Sequence, residues 1–98
     1  MRITLFTKYL NAHMLPLSLA FNAATDVDFT FVALNDKAGS VGRQNLNNTY
    51  DFVIRPYESD EAAACARMHA LEDDIAIFGH MGGDETLVKE RMRTNKKI

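Results

Sequence analysis

Two short stretches of this chain carry the residue types that could do chemistry. Lys8-Tyr9-Leu10-Asn11-Ala12-His13 brings a cation, an amide and an imidazole close together. That combination suits hydrogen bonding to a polyhydroxylated or anionic ligand. Gly79-His80-Met81-Gly82-Gly83-Asp84 is the second stretch. Its glycines permit close backbone approach to a ligand, with His80 as base or hydrogen-bond donor. Each stretch also has a plainer reading: Asn11 and His13 satisfying free amides at a helix start, and Gly79, Gly82 and Gly83 serving a tight turn.

Other chemistries find no footing. The glycine stretch lacks the Gly-Lys-Ser/Thr of a phosphate loop and the Gly-x-Gly-x-x-Gly spacing of dinucleotide binders, and the Asp84 carboxylate would compete with a phosphate. His13, His69 and His80 are far apart and no Cys/His pair has ligand spacing, so neither a metal nor a cofactor is expected. No Gly-x-Ser-x-Gly elbow follows a strand. Cys65 is the single cysteine, which precludes an intrachain disulfide and predicts a small buried thiol among alanines.

Charge narrows the partners. A formal net charge of -2 offers no general attraction to nucleic acid. Acidic residues concentrate between Glu58 and Glu85, and basic ones between Lys89 and Lys97, a segregation expected of solvated helix faces. No apolar run approaches the roughly 20 residues of a membrane span. The strand pattern starts directly after Met1-Arg2 with no signal-like segment, so a soluble cytoplasmic chain is expected.

The elements that must hold these loops follow from periodicity. Residues 2–7 form a near-continuous apolar run, the pattern of a parallel strand covered on both faces. A helix is predicted from Met14 to Ala24, with Pro16 in its first turn and Leu15, Leu19 and Phe21 facing inward. Phe29–Leu34 is a second strand. A polar crossover follows, Asn35 to Tyr50, with a helical turn near Arg43–Asn47, and then a third strand over Asp51–Arg55, closed by Pro56. Ser59 is placed to cap a second helix that carries Ala64, Cys65, Met68 and Leu71 inward. Ile75–Phe78 is the fourth strand, and Asp84 is expected to cap a third helix with Leu87, Val88 and Met92 inward.

The result is one α/β domain over residues 1–98: a Rossmann-like open parallel four-stranded sheet with helices on its faces, in the order β-α-β-β-α-β-α. Both candidate loops then lie at the carboxyl ends of strands, where such sheets bind ligands. The sheet reads as incomplete, so self-association or pairing with a missing lobe is expected.

The residues also resemble a family. Thr7-Lys8-Tyr9-Leu10-Asn11-Ala12-His13-Met14-Leu15-Pro16-Leu17, Phe29-Thr30-Phe31-Val32-Ala33, Tyr50-Asp51-Phe52-Val53-Ile54-Arg55-Pro56-Tyr57-Glu58 and Leu87-Val88-Lys89-Glu90-Arg91-Met92 look like the N-terminal domain of bacterial two-domain glycosyltransferases of the cell-surface polysaccharide type. The resemblance runs through nearly the whole chain and covers the first part of such an enzyme. It implies two facing Rossmann-like lobes, an acceptor side built by the N-terminal lobe, a nucleotide-sugar donor side built by the other, and strand order three-two-one-four. Relatives often carry Asn-His-His where this chain has Asn11-Ala12-His13, which leaves His13 as the candidate catalytic residue. Lys8, Asn11 and His80 are then the candidate acceptor-binding residues for a sugar or glycan. Without a donor lobe the chain is expected not to transfer sugar. A stand-alone protein-interaction or self-association module is the alternative.

Overall fold

A computed structural model describes residues 1–35, 46–79 and 85–96 of the chain. Among the described residues four strands and three helices follow one another as β1 (Arg2–Thr7), α1 (Leu15–Ala23), β2 (Asp28–Ala33), β3 (Val53–Ile54), α2 (Asp60–Glu72), β4 (Ile75–Phe78) and α3 (Thr86–Met92). The sheet order is β3-β2-β1-β4 and every pairing is parallel. The expected Rossmann-like architecture and strand order are both present.

β1 is central, with Leu5 opposite Phe31 on one side and Ile77 on the other. Alternation along the strands then splits the core in two. Leu5, Phe29, Phe31 and Val53 meet Leu15 and Phe21 of α1 on one face. Phe6, Val32 and Ala76 meet Ala66 and Ala70 of α2 and Leu87 of α3 on the other. Phe6 and Phe78 stack in register across the β1–β4 pair, with ring centroids 4.6 Å apart. Full burial of a ring such as Phe6 or Phe31 contributes about 2–3 kcal/mol, so these two strands carry much of the fold.

Local chemistry sets the helix ends. Pro16 occupies the first turn of α1. The Ser59 hydroxyl accepts the Ala62 N–H at 3.0 Å, and Asp60 and Glu61 sit at the positive end of α2, as the sequence predicted. Four expectations need correction.

In α1, Leu19 is 40% exposed and Ser18 is the buried residue, its hydroxyl satisfied by the Met14 carbonyl at 2.9 Å. In α2 the face on the sheet is Ala66 and Ala70, because small side chains let the helix sit close; Ala64 and Met68 are exposed, and Cys65 and Leu71 are only partly buried. In α3, Met92 points to solvent while Arg91 is fully buried. The third strand is also shorter than expected, with Val53 and Ile54 alone forming β3.

Candidate functional site

The carboxyl ends of β1, β2 and β3 converge on one buried amide, that of Asn47. Its Oδ1 accepts the Leu10 N–H at 2.8 Å, and its Nδ2 donates to the Asn35 carbonyl at 2.9 Å and to the Tyr57 Oη at 3.0 Å. Its own carbonyl accepts from Arg55 at 2.9 Å. The Asn35 N–H in turn donates to the Lys8 carbonyl at 2.7 Å. One side chain therefore ties the loop after β1, the end of β2 and the segment after β3 into a single frame. A buried amide held on both its donor and acceptor sides gives that frame a defined geometry.

Within the frame, the loop after β1 is built by Asn11. Its side-chain oxygen accepts the N–H groups of His13 and Met14 at 2.9 and 3.1 Å, and its main-chain oxygen accepts those of Met14 and Leu15. This is an Asx turn feeding α1, and it fixes the amide so that Nδ2 faces away from the turn. Tyr9 and Leu10 are buried beneath it, whereas Ala12 and His13 are exposed. Lys8 is partly buried and forms no ion pair among the described residues.

Gly79 joins this end of the sheet through its N–H, which donates to the Phe6 carbonyl at 2.8 Å. Its backbone is not in the left-handed region, and an added Cβ would meet Thr7 Cβ at 3.5 Å, an ordinary contact. Neither sterics nor dihedral demands glycine there. His80, Gly82 and Gly83 lie outside the described residues, as does Asp84.

The structure thus brings Lys8, Asn11, His13 and Gly79 to the same edge of the sheet. It also adds Asn47, Tyr57 and Arg55, which the sequence reading did not select. Asn47 sits among similar asparagines, and its burial depends on contacts reaching back to Leu10. The Arg55 guanidinium is engaged by Glu58 at 2.5 Å.

A second polar cluster lies at the opposite end of the sheet. Asp73, buried beneath β1, accepts from the Thr4 hydroxyl, pairs with Arg2 at 2.8 Å, and meets the His69 Nδ1 with both oxygens, at 3.0 and 2.9 Å. Burial disfavours the charge on Asp73, but hydrogen bonds from His69 and Thr4 and the charges of His69 and Arg2 outweigh it and hold its pKa below the usual 3.8. The set has the composition of a nucleophile relay but not the geometry. Thr4 and Asp73 both face Nδ1, and the Thr4 hydroxyl is sealed from solvent. Arg91 closes the cluster by donating to the carbonyls of Ala70, Asp73 and Asp74 at 3.1, 2.7 and 3.2 Å, which caps the end of α2. Burial lowers its pKa without threatening its charge.

Among the described residues no group of three or more His, Cys, Asp or Glu side chains is placed to hold a metal ion. Nor is any helix long and apolar enough to cross a membrane. Comparison with family models, curated proteins and solved structures finds no match to this chain.

Proposed function

We propose that this chain is the acceptor-side segment of a glycosyltransferase and holds a sugar or glycan acceptor at the carboxyl edge of its sheet. The observation that carries the reading is the placement of Lys8, Asn11 and His13 on the loop after the central strand, in a frame fixed by Asn47. The parallel order β3-β2-β1-β4 is the one the family resemblance implies. With its carbonyl oxygen committed to the turn, Asn11 has Nδ2 left as a donor for a hydroxyl. His13, exposed at the rim, is the group to accept a proton from that hydroxyl. A donor sugar must be supplied from across a cleft, so the isolated chain binds but does not transfer. A cytoplasmic location goes with this reading.

The test is amide chemical-shift mapping of the isotopically labelled chain with D-glucose, N-acetyl-D-glucosamine and, as a donor-side control, UDP. Shifts confined to residues 8–13 and to Asn35, Asn47 and Tyr57 with a saccharide, and none with UDP, are expected. A spectrum unmoved by every saccharide, or one moved only by UDP, overturns the proposal.

A second reading, a self-association or protein-interaction module, has its own observation. No charged residue occurs from Met14 to Ala24, and α1 leaves Leu17 47% and Leu19 40% exposed. Sedimentation velocity decides it: a concentration-dependent homodimer supports this reading, and a monomer throughout rejects self-association.

A further inference from the structure

Tyr57 and Lys8 stand out at the carboxyl edge because the fold anchors both, leaving the Tyr57 ring exposed and Lys8 without an ion pair among the described residues. The Tyr57 ring is 40% exposed, yet its hydroxyl is pinned to the Asn47 amide, itself 1% exposed. The phenol tip points to the buried node, so the ring is held in place while its apolar surface stays wet. Such a surface favours a partner with its own flat apolar face, and the C–H face of a pyranose is one.

Lys8 shares the same node, since its carbonyl accepts from Asn35, whose carbonyl accepts from Asn47. Lys8 is partly buried, and its charge gains from an anion close by. The carboxylate that follows Tyr57 does not serve, because Glu58 is engaged by Arg55. A cation with no ion pair among the described residues and an exposed ring, both tied to one hydrogen-bonded node, describe a ligand as well as a surface.

Building on the acceptor-side reading, we infer that the ligand of this edge is an anionic sugar, with its ring against Tyr57 and its negative group on Lys8. A carboxylate and a phosphate present the same charge to Lys8, so both enter the test. Amide titrations of the labelled chain with D-glucuronate, D-glucose 6-phosphate and D-glucose compare the three directly. At least one anionic sugar binds about three- to fivefold tighter than glucose, the gain expected of one solvent-accessible ion pair. Glucuronate preferred over the phosphate identifies a uronic acid, and the reverse identifies a sugar phosphate.

Lys8→Gln abolishes that preference, so that the anionic sugars bind no tighter than glucose. Tyr57→Leu weakens all three sugars, while Tyr57→Phe, which keeps the ring, retains most of the affinity and controls for folding. Equal affinity for all three sugars in the wild type overturns the inference and leaves the acceptor-side reading standing. Unchanged affinity in Tyr57→Leu overturns the stacking role. Failure of all three sugars to move the spectrum overturns the inference and the reading together.

Discussion

Asn47 and Leu10 are 37 residues apart in sequence and 2.8 Å apart in the fold, side-chain oxygen to backbone N–H. Leu10 is fully buried, so no water stands ready to replace the amide. Asn47→Ala strands that N–H, and the expected loss is about 1–3 kcal/mol at the typical cost of a buried unsatisfied group. Asn47→Asp keeps the acceptor for Leu10 but loses both Nδ2 donations, and falls between alanine and wild type. Urea unfolding followed by circular dichroism measures the order, and an alanine variant within 0.5 kcal/mol of wild type, roughly the scatter of neutral surface changes, refutes the role of the node.

Asp73 makes stability depend on acid. Its folded pKa lies below the ordinary value, so its contribution is fully present above the unfolded pKa near 3.8 and drains away as pH falls through the folded one. Urea midpoints measured on the acid side of neutrality should fall as pH drops below about 4. Asp73→Asn should be less stable at neutral pH and lose part of that slope. An identical slope in both proteins assigns the acid sensitivity to other carboxylates.

Arg91 is expected to be among the most sensitive positions of α3, although the exposed Arg93 lies two residues away. Arg91→Met removes the donor from the carbonyls of Ala70, Asp73 and Asp74 and should cost about 3 kcal/mol or more, where Arg93→Met costs at most about 0.5. Arg91→Lys restores the charge but not the planar fork that reaches several carbonyls, so rescue should be partial. Thermal melts of the three variants are sufficient to rank them.

These positions also mark where the sequence was legible. Strand runs such as Ile3–Phe6, buried on both faces, and Ile75–Phe78, partly buried, announce themselves by their apolar residues, and Ser59 before two acids declares the start of α2. Helix faces were harder, because small residues carry little hydrophobic signal. Ala66 and Ala70 win the sheet contact by being small, while Met68, with its larger apolar side chain, is left outside. Arg91 defeats pattern reading altogether: its burial is decided by carbonyls at the end of another helix. At the candidate site, Lys8, Asn11 and His13 were readable from residue type and loop position. Asn47 was not, because its partners come from three separate segments.

The central place of β1 carries a consequence for the order of biosynthesis. β1 is made before both of the strands it pairs with, β2 about 26 residues later and β4 about 72 residues later. At common elongation rates of roughly 5–20 residues per second, Ile3, Leu5 and Phe6 wait several seconds on the nascent chain before Ile75–Phe78 arrive. For that interval the β4-facing edge of β1 has not yet received its native partner. That edge is therefore most exposed to wrong pairing until β4 is translated, and a chaperone that shields β1 would act at the critical time.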